Sequence, residues 1–288
     1  MSAGPPAGDA VRLMVFTDLD DTLFQTARKM PGGAPDAPPV AQAKNGQHSY
    51  QTPLQAALTG WLSGGAAAGQ TIPVTARGTD AFWRVALRFG GPAVVANGAV
   101  ILGPDGTPDP AWRSRVDARL APHRATVAAL PGAALAAGPA RGMGVRAWAV
   151  EEPGIGATYA VVKAEPGTDE ARLAELEGLL AAAVGPAAAA AWTVHRNGNN
   201  LAFIPPAFSK AEAVAHLLAA ARARGPVLAI GVGDSATDLP FMRLCDLWMT
   251  PAASQIDGLL PGSLAGMGSE APHAAALAPA APRAAAGG

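Results

Sequence analysis

Residues 11–18, VRLMVFTD, form an unbroken apolar run that closes on a polar turn, the pattern of a strand covered on both faces. The same pattern recurs at TIPVTARG (71–78), PAVVANGAVI (92–101) and GPVLAIGVGDS (225–235), and CDLWMTPA (245–252) makes a fifth. Between these runs lie helical patterns, TPLQAALTGWLSG (52–64), TDAFWRVALRFG (79–90) and SKAEAVAHLLAAARARG (209–225). The last starts on Ser209, a good N-cap, and stops on Gly225. Strands alternating with helices predict an α/β fold with a doubly wound, Rossmann-like parallel sheet.

The pattern changes between 104 and 195. A turn-rich GPDGTPDP opens a stretch with two predicted helices (111–130 and 168–185) and strands at 144–152, 157–165 and 191–206. This reads as an α+β cap inserted into the parallel sheet. The expected domains are therefore 10–103 (core, first part), 104–195 (cap), 196–262 (core, second part) and 263–288, an Ala/Pro-rich tail expected to be disordered. HRNGNN (195–200) reads as a turn, and residues 31–51 as a long loop near the end of the first strand.

Composition narrows the function. Lys and Arg number 21 against 22 Asp and Glu, for a net charge of −1 with no basic block, so neither a nucleic acid nor a membrane surface is an expected partner. The one cysteine, Cys245, excludes an internal disulfide and a cysteine-based zinc site. No run of about 18 apolar residues occurs. The first residues lack the basic-then-apolar pattern of a signal peptide, so a cytoplasmic protein without an obligate protein partner is expected. The five histidines show no ligand spacing.

In open α/β sheets the ligand sits beyond the carboxyl ends of the strands. There the first strand delivers Asp18, Asp20 and Thr22, the second Thr75 and then Arg77, and the fourth Asp234 and then Asp238. Lys210 opens the preceding helix and is one of four lysines in a chain with 17 arginines. Carboxylates this close repel one another unless something compensates them. A phosphate ester and a hard divalent cation would account for the whole set. Asp21 reads as a turn residue, and Arg77 equally well as a surface arginine or a functional one.

DLDDT (18–22), VTARG (74–78), Lys210 and GDSATD (233–238), in this order, resemble the four motifs of the haloacid dehalogenase-like (HAD) hydrolases. The insert resembles their C2-type cap. VVANGAVI and GDSATDLPFM are similar to the Cof, sucrose-phosphatase and mannosyl-phosphoglycerate-phosphatase groups. Thr237 stands where asparagine is common, and SKAEAV replaces the more usual KGxAL. The resemblance implies a Mg²⁺-dependent phosphatase of a small phosphorylated metabolite, foremost a sugar phosphate, acting through an aspartyl-phosphate. Nucleotides and phosphorylated cofactors are the alternative substrates. It assigns Asp18 as nucleophile and metal ligand, and Asp20 as the acid and base whose carbonyl also meets the metal. Thr75 and Lys210 would bind the phosphate, and Asp234 would complete the metal shell. Asp238 would be a further ligand or the partner holding Lys210. The second carboxylate, Asp20, argues against a dehalogenase or a P-type ATPase.

Overall fold

The computed structural model describes residues 11–44, 46–64, 70–185, 190–252 and 254–259; the expected tail at 263–288 lies outside them. Strand β1 (Arg12–Thr17) runs into a small three-stranded antiparallel flap made of β2 (Gln25–Thr26), β3 (Ala41–Gln42) and β4 (His48–Tyr50). Next come α1 (Pro53–Ser63), β5 (Thr71–Pro73), the single turn α2 (Thr79–Phe82), β6 (Ala93–Val95) and β7 (Val100–Leu102). The remaining elements are α3 (Pro110–Leu120), α4 (Arg124–Ala137), β8 (Val145–Glu152), β9 (Gly156–Ala164), α5 (Glu170–Val184), β10 (Thr193–Asn197), β11 (Asn200–Ile204), α6 (Lys210–Arg222), β12 (Val227–Val232), α7 (Leu239–Met242) and β13 (Leu247–Met249).

The core is the expected parallel sheet, ordered β13-β12-β1-β5, with a parallel bridge from Val74 to Val94 bringing β6 alongside. Val15, Phe16 and Val94 are fully buried, as the unbroken apolar runs required. The cap holds a separate antiparallel sheet, β10-β11-β9-β8, whose Ala160, Val162, Leu201 and Phe203 pack against α4 and α5. Helix starts follow local chemistry. Thr52 and Gln55 form a reciprocal capping box before α1, Asp109 caps α3, and Ser209 caps α6 by accepting from Glu212 N.

Several expected elements differ. PAVVANGAVI is two strands, not one: β6 and β7 fold back antiparallel around a tight turn at Ala96–Gly98. Burial of both strands hides that break from any hydrophobic pattern. In that turn Gly98 has φ +96°, and a Cβ there would lie 2.2 Å from the Ser209 carbonyl oxygen, so only glycine fits against the start of α6. The helix expected over 79–90 ends at Phe82, because Val85 bridges to Ala41 and Ala86 N donates to the Val40 carbonyl. The helix expected over 111–130 is broken near Pro122 into α3 and α4. The loop expected at 31–51 contains β3 and β4.

The apolar cores also divide the chain elsewhere than at 104 and 195. Trp112, Val116 and Leu120 of α3 lie in the main cluster, whereas the second cluster begins at Val127. At the other end, β10 crosses residue 195, and β11 completes the cap sheet at Ile204. The second packing unit thus spans about 124–204. Arg119, at the end of α3, donates to the Pro206 carbonyl at 2.7 Å and so ties its two connections together.

Candidate active site

The chain leaves strand geometry immediately after Thr17. Asp18 N still donates to Val232 O, but Asp21 adopts φ +64°, and Leu23 and Phe24 N both donate back to the Leu19 carbonyl. This tight loop lets two aspartates that alternate in sequence face one cleft. An uninterrupted strand would send them to opposite faces.

Asp18 is buried at the mouth of β1, and Lys210 Nζ lies 2.7 Å from its Oδ1. The same ammonium lies 2.8 Å from Asp238 Oδ1. Asp238 is fully buried, and its Oδ2 accepts from Asp234 N, Ser235 N and the Ser235 hydroxyl. Of the two roles expected for Asp238, the geometry is that of the partner holding Lys210, because both its oxygens are engaged. Gly233 leaves the room: a Cβ there would lie 2.5 Å from Asp238 Cβ. Among the described residues the Asp234 carboxylate accepts one hydrogen bond, from the Thr22 hydroxyl at 3.3 Å, while its backbone carbonyl accepts from Ile256 N.

Charge in this cluster is unbalanced. One ammonium faces three carboxylates, those of Asp18, Asp234 and Asp238, which can bring one oxygen each within 4.8 Å of one another. Burial alone would lower the Lys210 pKa, but Asp18 and Asp238 more than offset it, so the ammonium is held protonated. Burial, followed by Asp238 and Asp21, pushes Asp234 up to about 7. Burial also raises Asp18, against the pull of Lys210. Hard oxygen donors with excess negative charge fit a divalent cation such as Mg²⁺.

Asp20 sits at the open side of the cleft, gripped by Arg77 through two 2.7 Å bonds from Nε and Nη2 to its two carboxylate oxygens. The Arg77 guanidinium also lies over the Phe24 ring. The sequence left Arg77 undecided; the structure makes it the sole ion-pair partner of Asp20 among the described residues. Thr75 is buried beside them, its hydroxyl accepting from Arg77 N at 3.1 Å. Asp21 pairs with Lys29 of the flap at 2.5 Å. All six candidate positions, Asp18, Asp20, Thr75, Lys210, Asp234 and Asp238, therefore lie at one end of the sheet.

The cap meets this end directly. Tyr159 Oη donates to the Ala76 carbonyl, between Thr75 and Arg77, at 2.5 Å. Glu152 Oε1 accepts from Thr79 N at 2.9 Å, and its burial raises its pKa. His195, set aside in the sequence, is on the core-facing side of β10. Burial holds its imidazole below the usual range, and the nearby Lys210 ammonium adds to this. Beside Asp234 opens a cavity of about 750 Å³ whose wall includes Thr22, Lys29, Gln55 and Gln255.

No family model and no curated protein matches this sequence. Solved structures do. The sucrose-phosphatase of Synechocystis sp. PCC6803, in complex with sucrose and phosphate, is 13% identical over 89% of this chain and 98% of that chain, with a TM-score of 0.51. A trehalose-6-phosphate phosphatase related protein is 17% identical over 82% and 85% (TM-score 0.48). The C-terminal domain of C. albicans trehalose-6-phosphate phosphatase is 12% identical over 81% and 72% (TM-score 0.49). The first likeness establishes the fold class: the chain has the Rossmann-like HAD fold with a cap. Among the described residues no helix is long and apolar enough to cross a membrane.

Proposed function

We propose that this chain is a Mg²⁺-dependent phosphatase of the HAD superfamily that hydrolyses a small phosphorylated metabolite, foremost a sugar phosphate. One observation carries this reading: Asp18, backed by Lys210, shares the cleft mouth with the Arg77-gripped Asp20. Phosphate monoesters react extremely slowly unaided, and an anionic nucleophile must approach an anionic phosphoryl group. Asp18 Oδ2, the oxygen not bonded to Lys210, attacks phosphorus as the ester P–O bond breaks. Asp20, protonated on the oxygen that comes free of Arg77 when the substrate enters, gives that proton to the departing oxygen. Asp20 then takes a proton from water, whose oxygen attacks the aspartyl-phosphate and frees Asp18 and inorganic phosphate. Lys210 and the Thr75 hydroxyl bind the non-bridging oxygens. Mg²⁺, held by Asp18, Asp234 and the Asp20 carbonyl, would neutralise the transferring group. Asp238 keeps Lys210 aligned.

The sugar reading draws support from the sucrose and phosphate bound by the structurally similar protein. Phosphate release from a panel of sugar phosphates, nucleotides and phosphorylated cofactors, with and without Mg²⁺, tests the proposal. Mg²⁺-dependent release that disappears in Asp18→Asn is the expected result. Folded, Mg²⁺-loaded protein that releases phosphate from no ester would overturn it.

A further inference from the structure

The register of the cap sheet defines three rows of side chains on the face turned toward the core, because directly opposed residues in an antiparallel sheet point to the same side. The first row is Val150, Tyr159, Ile204 and Thr193. Its Tyr159 and Ile204 are buried in the main apolar cluster, so this row seats the cap on the core. The second row is Trp148, Val161, Ala202 and His195, where Val161 and Ala202 are half-buried and Trp148 is 43% exposed. The third row includes Arg146, Lys163 and Asn200. Each row lies about 7 Å beyond the last.

A cavity of about 660 Å³ opens where the third row meets the flap, and its wall includes Arg146 and Lys163 from the cap and Arg28 and His48 from the flap. The flap places Arg28 there because its neighbour Lys29 is tied to Asp21, one residue from the gripped Asp20. Among the described residues none of these three cations has a carboxylate partner. The wall also holds the imidazole of His48 and the carboxylate of Glu165, and among the described residues that carboxylate pairs with none of the three. Three like charges brought together from two parts of the chain repel one another. Burial, with Arg146 and Arg28 close by, lowers the Lys163 pKa. Among the described residues no ion pair within the fold offsets this repulsion, and an anion would relieve it.

We propose that Arg28, Arg146 and Lys163 form a second anion site, which binds a carboxylate or phosphate carried by the leaving group of the substrate. This rests on the phosphatase reading of Asp18 and refines it: the substrate is a phosphate monoester whose alcohol bears a further negative charge. By the row spacing the third row lies about 14 Å beyond the row that seats the cap, a span that the long Arg and Lys side chains shorten by reaching back over the second row.

Three ligands that share one phosphate ester and differ in a single group provide the test: glucose 1-phosphate, glucuronate 1-phosphate and glucose 1,6-bisphosphate. Calorimetric binding to full-length Asp18→Asn protein with Mg²⁺ needs no turnover, and phosphate release from wild-type protein is followed in parallel. At least one doubly charged ligand is expected to bind about tenfold to a hundredfold more tightly than glucose 1-phosphate, the gain from charge-assisted hydrogen bonds. Which of the two gains identifies the group as carboxylate or phosphate. The ratio should fall to near one in an Arg146→Gln, Lys163→Gln variant and in a separate Arg28→Gln variant, each checked for an unchanged melting temperature. Equal affinity for all three ligands, no binding of any, or a preference that survives the substitutions overturns the second site. Preferential binding without phosphate release from any ester would leave the site standing and remove the phosphatase reading. Release without charge preference would do the reverse.

Discussion

The strand ends of the core and the facing side of the cap sheet both concentrate charge at the cleft, but they treat it differently. On the core side Lys210, Asp18 and Asp238 are buried and mutually bonded, with Asp238 Oδ2 accepting three donors from its own loop. On the cap side the exposed Arg146 and the half-buried Lys163 have no carboxylate partner among the described residues. Groups that must hold one geometry through a reaction need such interlocking. Groups that recognise an incoming ligand instead need to be unsatisfied until it arrives.

The comparison breaks most sharply at Asp18. Asp18→Asn keeps the shape but removes the nucleophile, and phosphate release should fall by roughly a thousandfold or more. Next is Lys210→Met, which leaves Asp18 and Asp238 buried without a counter-charge. Stability should drop by about 3 kcal/mol or more, read by urea unfolding, with partial recovery when Asp238→Asn is added. An unchanged unfolding midpoint would mean that the core network is not interlocked as described. Arg77→Gln releases the grip on Asp20 and should lower turnover by about tenfold, read as phosphate release at saturating substrate, because the Asp20 carboxyl would no longer be held in place.

A smaller effect is expected at the turn that supports Lys210. Trp112 Nε1 donates to the Gly98 carbonyl at 2.9 Å, so Trp112→Phe should cost about 1 kcal/mol in unfolding free energy. The smallest concerns the cap–core contact at Glu152. Its folded pKa is raised by burial, so its contribution to stability is fully present at acid pH. That contribution is lost as pH rises from about 4.5, the ordinary glutamate value, through the raised one. Glu152→Gln keeps an acceptor for Thr79 N without the charge. Its melting temperature should therefore gain on wild type as pH climbs, and a constant difference across pH would contradict this.

The chemistry of the core was legible because it lies at the ends of strands that announce themselves as buried apolar runs. Asp18, Thr75 and Asp234 each follow directly from such a position, and Lys210 opens the helix that leads into β12. What escaped depends on partners distant in sequence. Arg77 reads equally as a surface or a functional residue until Asp20, 57 positions away, folds against it. His195 carries no spacing signal, since it is the pairing of β10 with β11 that turns it toward Lys210. The β6–β7 reversal was invisible because both strands are buried, and Asn97 at φ +56° makes a turn that hydrophobic patterning does not encode. The helix expected at 79–90 was lost to a tertiary pairing, Val85 with Ala41, that overrides local propensity.

The Arg119–Pro206 bond has a consequence for engineering. It fastens the outgoing chain to the returning one at the base of residues 124–204, a stretch with an apolar centre of its own. That stretch is therefore a cassette with two adjacent splice points. A foreign module could replace it without disturbing the order of the core strands. It would need to supply apolar side chains in place of Ile155, Tyr159 and Ile204, a hydroxyl for the Ala76 carbonyl and an acceptor for Thr79 N.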